Sequence, residues 1–311
     1  MDVRVVFIGT PEFAGKVLDA LVGEKYNVVA VVSQPDKPVG RKREIVKTPV
    51  HARADEYGIP VLQPERLRDG IEDILAYRPD LIVTCAYGQF VPTRLLDAPA
   101  YGSLNIHPSL LPKYRGGAPV HRAVWAGDKE TGVCLMEMVK AMDAGRVYDR
   151  RIVPIDPDDT TETLNLRLEE ASAELIREAL PKYLRGELAG EVQDEDKVVL
   201  ARNIAPDEEQ VSFTEGDIHE IYNHIRALID FPVAYGILDG KRVKFYACRI
   251  REEEVREAPG TVLGFRDHAM EIACRGGVLR VLELQAEGKK RMPADAFGNG
   301  AGRAWTGRRF D

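Results

Sequence analysis

The sequence predicts an α/β domain built on a mostly parallel sheet, followed by a smaller β-barrel domain, and three observations carry that prediction. From residue 3 to residue 180, short apolar runs alternate with longer amphipathic stretches, the pattern of buried strands covered by helices. Beyond Pro206 the runs become strand-sized, with turn signals at Asp239-Gly240, around Gly260 and at Gly276-Gly277. Between these patterns, residues 186–197 are polar and acidic, as a connecting segment would be. The expected partition is 1–188, a connection at 189–206, and 207–311. With 311 residues, the chain is long enough for two cores.

Residues 3–8 are an apolar run broken only by Arg4, a first buried strand. Thr10 offers an N-cap and Pro11 suits a first helical turn, so residues 12–22 are predicted helical. Gly9 and Gly15 stand near that strand end, but Pro11 occupies the place of the second glycine of a dinucleotide fingerprint, which argues against a nicotinamide cofactor. Residues 28–32 form the second strand, and a long basic loop, Ser33 to Arg43, leaves its end. A loop of that length is more often functional than structural, although a plain surface connection would share its Pro, Gly and Lys content. Helix is predicted at 49–57 and 67–77, with a short strand at 60–62 and a central one at 81–86. A further helix at 120–126, strands at 131–138 and 148–155, and a helix at 161–180 that Pro181 stops or kinks complete the first pattern. In the second, a helix covers 217–228 and strands cover 233–238, 243–248, 261–264 and 279–284. Residues after Phe297 are Gly-rich and basic and are expected to form a mobile tail.

A net charge of −7 excludes a protein that coats nucleic acid indiscriminately, although basic clusters such as Lys241, Arg242 and Lys244 leave room for local contacts. No apolar run reaches the roughly 18 residues that cross a bilayer, and the N-terminus lacks the plan of a signal peptide. A cytoplasmic, monomeric protein is expected. Cys85, Cys134, Cys248 and Cys274 lie singly in apolar stretches without disulfide or zinc spacing, so buried thiols and no metal are expected.

The chemistry concentrates in residues 103–119. Alternation along a strand puts Asn105 and His107 on one face and turns Leu104 and Ile106 into the core, and Pro108 then ends the ladder. In an open α/β sheet, ligands gather outside the carboxyl ends of the strands. An amide that donates to a developing oxyanion and an imidazole that donates, accepts or carries charge suit group transfer at a carbonyl. An Asn-x-His pair at a strand end also suits a satisfied turn, and Asp143 in Met142-Asp143-Ala144-Gly145 has an easy structural role as a turn-former. The strand before Asp143 is expected to deliver it to the same sheet edge as His107, where its carboxylate would orient the ring.

Asn105-Ile-His-Pro-Ser-Leu-Leu-Pro112, then Arg115-Gly-Gly-Ala-Pro119 and Met142 to Gly145, resembles the folate-dependent formyltransferases, which implies a Rossmann-like first domain. Phe7-Ile-Gly-Thr-Pro-Glu-Phe-Ala14 with Ser33 to Arg41, and Leu284-Gln-Ala-Glu-Gly-Lys-Lys-Arg-Met292, narrow the resemblance to the branch that formylates methionyl-tRNA. The resemblance implies 10-formyltetrahydrofolate as donor, held at Ser109, Leu110, Leu111 and Pro112, and charged initiator tRNA as acceptor. It also implies Asn105, His107 and Asp143 as the catalytic set, tRNA contacts at Arg41, Lys42 and Arg43, and an oligonucleotide-binding (OB-like) barrel as second domain. His51, Asp230 and Arg146 depart from the residues common at their positions. Two other readings remain open: an amino-sugar nucleotide or water as acceptor, and a non-catalytic RNA- or folate-binding module.

Overall fold

The computed structural model describes residues 3–39 and 43–311, which divide into two units. The first comprises residues up to Pro119 together with 131–154 and 165–201; the second comprises 120–130, 155–164 and 202–311.

The first unit is built on apolar runs that pair. β1 (Arg4–Gly9), β2 (Asn27–Val32), β5 (Val61–Leu62), β6 (Leu81–Cys85) and β7 (Ser103–His107) form a parallel array in the order β7-β6-β1-β2-β5. Val6, Phe7, Ile8, Val31, Val32, Leu81, Ile82 and Val83 are fully buried, as strands covered on both faces must be. Between them run α1 (Glu12–Gly23), the hairpin β3 (Lys37–Val39) with β4 (Glu44–Val46), α2 (Pro49–Glu56), α3 (Ile71–Ala76) and α4 (Thr93–Leu96). The predicted helix at 67–77 is broken at Gly70, with a 3-10 turn before it. The predicted cap Thr10 is not one: Pro11 takes the N-cap position of α1, and the Thr10 hydroxyl donates instead to the Tyr87 carbonyl, 3.4 Å away.

After the short β8 (Lys113–Arg115) and α5 (Pro119–Trp125), β9 (Glu130–Glu137) joins the sheet beside β7 and β10 (Val147–Pro154) joins beside β9. β9 runs antiparallel to β7, with Leu104 opposite Glu137 and His107 opposite Cys134. Its end therefore lies beside the start of β7, not at the edge where His107 emerges. The expectation that this strand carries Asp143 straight to the His107 edge fails for that reason, and the connection from β9 to β10 has to bring the residue back. α6 (Thr161–Glu178) is followed by α7 (Leu180–Leu184), with Pro181 at its first turn. Residues 190–201, read from composition as part of a connection, belong to the first unit and contribute β11 (Val199–Leu200), which pairs with β8.

In the second unit Asp217 caps α8 (Ile218–Ala227) through a reciprocal box with Glu220. β12 (Tyr235–Leu238), β13 (Lys241–Glu252), β14 (Val262–Arg266), β15 (Ala269–Cys274) and β16 (Gly277–Ala286) form an antiparallel sheet in the order β12-β13-β16-β15-β14, with β17 (Met292–Pro293) beside β16 and α9 (Ala294–Gly298) after it. The expected mobile tail is instead an ordered closing segment, a 3-10 turn over Ala301–Trp305 followed by two bridging residues. Leu238 at one sheet edge bridges Phe310, Thr261 at the other bridges Arg309, and Phe310 is 1% exposed against Phe213 and Phe245. An aromatic ring buried with two others outweighs the glycine content that suggested disorder.

Candidate active site

β7 sets the site by simple alternation. Leu104 and Ile106 are fully buried on one face; Ser103, Asn105 and His107 share the other. Opposite Asn105 on the neighbouring strand stands Thr84, whose hydroxyl lies 2.8 Å from the Asn105 Oδ1. The hydroxyl donates to this oxygen, which turns the amide so that its N–H donors point away from Thr84.

His107 is 4% exposed and held from two sides. Its Nε2 lies 2.9 Å from the Tyr114 carbonyl, which can only accept, so Nε2 carries a proton. Nδ1 lies 3.8 Å from Asp143 Oδ2, too far for a hydrogen bond but close for a charge. The same carboxylate oxygen accepts from the Gly116 N–H at 2.8 Å. Tyr114 and Asp143, which supply these partners, both sit in the left-handed backbone region, at φ 64° and 50°. For residues other than glycine that conformation costs about 1 kcal/mol or more, and it persists where the surroundings enforce it, as at functional sites. Gly116, at φ 129°, is also confined, because a Cβ there would stand 2.5 Å from the Ala201 carbonyl oxygen.

The structure thus brings Asp143 to His107 and places Asn105 on the same strand face. The four residues 109–112 divide. Ser109 is fully buried and its hydroxyl donates to the Lys113 carbonyl at 2.6 Å, and Leu111 is 2% exposed in a cluster with Cys134, Met136 and Val147. Leu110 and Pro112 are half-buried. Burial pushes the neighbouring Cys134 thiol up to about 11, so it stays a protonated, apolar part of that cluster. Arg41 and Lys42 lie outside the described residues; Arg43 is exposed next to β4. The base of this loop is fixed by Asp36, which accepts from the Thr48 N–H at 3.0 Å, the Gln63 amide at 2.9 Å and His51 Nδ1 at 2.9 Å. Burial raises the Asp36 carboxyl, but these hydrogen bonds outweigh it and the group lies below its usual range.

Sequence reasoning missed Thr84, the Tyr114 carbonyl and Gln193. Thr84 is legible only once the register of β6 against β7 is known, a backbone carbonyl has no sequence signal, and Gln193 lies in a stretch whose composition reads as a connection. No group of three or more His, Cys, Asp or Glu side chains among the described residues is arranged to hold a metal ion, and no helix among them is long and apolar enough to cross a membrane.

Residues 3–180 match the family model described as formyl transferase, and residues 203–302 match that described as formyl transferase, C-terminal domain. The methionyl-tRNA formyltransferase of Geobacillus thermodenitrificans (strain NG80-2) is 46% identical over 302 residues, covering 96% of this chain and 94% of that one. Its namesake from Halalkalibacterium halodurans is 43% identical over 303 residues, covering 96% and 95%. Among solved structures, HypX from Aquifex aeolicus in complex with tetrahydrofolic acid aligns with a TM-score of 0.68 at 21% identity, over 96% of this chain and 47% of that longer one, a likeness of fold. With both models matched in order and relatives this similar over nearly the whole length, the chain belongs to the formyl transferase family.

Proposed function

We infer that this chain transfers the formyl group of 10-formyltetrahydrofolate to the free α-amine of methionyl-initiator tRNA. The observation that carries the reading is the meeting of the His107 ring and the Asp143 carboxylate at 3.8 Å beside the Asn105 amide. The name shared by relatives 43–46% identical over nearly the full chain supports the acceptor.

The donor supplies an electrophilic formyl carbon and an amine leaving group. As the α-amine forms its bond to that carbon, negative charge gathers on the former carbonyl oxygen. Asn105 donates to it through the amide N–H groups that Thr84 turns outward. His107 Nε2 is committed to Tyr114, so Nδ1 is the ring atom that faces the reacting oxygen. When Nδ1 also carries a proton, the ring is a cation set between the oxyanion and Asp143. As the carbon–nitrogen bond of the donor breaks, the cationic ring gives its Nδ1 proton to the leaving nitrogen, while Asp143 takes the proton lost by the attacking amine and returns it to Nδ1. The half-buried Leu110 and Pro112 and the backbone between them would take the flat ring of the donor, while the buried Ser109 and Leu111 shape the turn. Arg41, Lys42 and Arg43 meet the phosphates of the tRNA acceptor end.

The chain, incubated with labelled formyl donor and, in turn, charged initiator tRNA, an amino-sugar nucleotide or buffer alone, is expected to label only the tRNA. Label on the sugar nucleotide or released as formate would overturn the acceptor; no transfer in any arm would overturn the activity. Because an acidic protein must reach tRNA through a local basic surface, turnover should fall as salt rises, and Arg41→Ala should raise the KM for tRNA without changing donor binding. Indifference to both would remove the loop from the interface.

A further inference from the structure

We propose that Gln193, in the segment between the two family-matched stretches, is a positioning residue for Asp143, and that residues 190–201 work as a strap on the active-site loops rather than as a connection between domains. The proposal rests on the assignment of Asp143 above.

Gln193 is 7% exposed, and its side chain uses both its N–H donors and its acceptor oxygen. Its Nε2 donates to the carbonyl of Asp143 itself at 2.7 Å and to that of Gly145 at 2.8 Å. Its Oε1 accepts from Arg115 Nε at 2.9 Å. Arg115, also 7% exposed, completes its fork on the two Glu195 oxygens at 2.8 and 3.1 Å. One amide therefore ties the loop that carries Asp143 to the loop that holds it, since the next residue after Arg115, Gly116, donates to the Asp143 carboxylate.

The strap is anchored on either side of this knot. Upstream, Glu191 and Val147 exchange backbone hydrogen bonds at 2.8 and 2.9 Å. Downstream, β11 pairs with β8, the Ala201 N–H donates to the Arg115 carbonyl at 2.7 Å, and the Ala118 N–H donates to the Ala201 carbonyl at 3.1 Å. A residue held at φ 50° on a connection that must fold back from the wrong end of its strand needs such restraint. The Asp143 and Gly145 carbonyls both take a donor from this amide, which a glutamine supplies with two N–H groups while its oxygen accepts from the arginine. A hydrogen-bonded network of this kind favours one conformation, and a misplacement on the order of 1 Å at a catalytic group can cost a hundredfold in rate.

The test is a kinetic cycle on the full chain with charged initiator tRNA and formyl donor. Gln193→Met keeps the length and removes both donors. We expect kcat to fall by about tenfold or more with both KM values within about twofold, and the pH profile of kcat to move toward that of Asp143→Asn. In the Asp143→Asn background, the same change should cost less than about twofold, because its effect runs through Asp143. A merely structural role would lower kcat by the same factor in both backgrounds, and that result, or parental turnover in Gln193→Met, would overturn the proposal. Should Gln193→Met not fold, Glu195→Gln loosens the Arg115 fork from its exposed end, and the same loss of effect in the Asp143→Asn background is required of it. Parental turnover in Asp143→Asn would sink the catalytic assignment itself; an impaired Asp143→Asn beside an unimpaired Gln193→Met would sink only the strap.

Discussion

Asn105 serves as an oxyanion donor only while its amide faces the right way, and one hydroxyl decides that. Thr84 is 3% exposed and pairs with Asn105 across two parallel strands, so its hydroxyl has little choice of acceptor beyond Asn105 Oδ1 and the weaker sulfur of Met138 at 3.1 Å. Removing a donor aimed at the developing charge costs on the order of 3 kcal/mol, about a hundredfold, so Asn105→Ala should lower kcat by about that factor with the fold intact. Thr84→Val keeps the volume and the strand and removes only the restraint on the amide. It should lower kcat by a smaller factor, about tenfold, with the KM for the donor unchanged, because the amide then spends part of its time reversed. Steady-state kinetics of the two variants side by side check this; a Thr84→Val enzyme with parental kcat would leave the hydroxyl without a part in catalysis.

Elements fix these residues, and one pair of elements in the second unit offers a clean electrostatic test. Arg122 on α5 donates through its fork to both oxygens of Glu208, at 2.7 and 2.8 Å, and Glu208 also accepts from the Ala205 N–H at 2.9 Å. The Arg122 hydrogen bonds, against the desolvation that burial imposes, bring the Glu208 carboxyl from its ordinary 4.5 down to about 2. A carboxyl lowered on folding adds stability that is complete above about pH 4.5 and is lost as the pH falls toward about 2. The parent should therefore lose more of its thermal stability between those values than Glu208→Gln does, with the two melting curves converging at the acid end. Parallel curves across the whole range would mean that the pair contributes nothing. The element scale also shows where sequence stops being a guide. β1, β2 and β6 are legible as short, nearly continuous apolar runs, and Asn105 and His107 follow on β7 from alternation alone. β15 was missed because it is buried along its whole length, so no period marks it, and the one charge in it, Glu271, is answered by Arg251 from another strand at 2.9 Å. Asp143 is legible by residue type and by its place in the turn after a strand, but the route that brings it to His107 is not, since nothing in residues 130–137 says that the strand runs antiparallel. Gln193 was invisible because its work depends on two loops that are distant in sequence.

At the scale of the whole molecule, the second unit is assembled from three separate stretches of chain and closed by its last residues. Phe310 bridges Leu238, the Phe310 N–H donates to the Gly260 carbonyl at 2.9 Å, the Asp311 N–H donates to the Ile237 carbonyl at 3.0 Å, and the Phe310 ring stands 5.2 Å from that of Phe213 and 5.8 Å from that of Phe245. The C-terminal residues thus bind both edges of the sheet and fill its core at once. Truncating a fully buried phenylalanine to alanine costs about 3–5 kcal/mol, enough to use up much of the stability of a single domain. The loss in Phe310→Ala should not stay local, because the sheet it closes packs with α8, and the Thr161 hydroxyl and Arg226 tie α8 to residues 155–164 through the carbonyls of Ala227 and Asp159, at 2.7 and 2.8 Å. Hydrogen exchange on Phe310→Ala should accordingly show protection falling together in residues 202–311, 120–130 and 155–164, while β1, β2, β6 and β7 keep theirs. Were the loss confined to residues 301–311, the tail would be a flap laid on a unit that is complete without it.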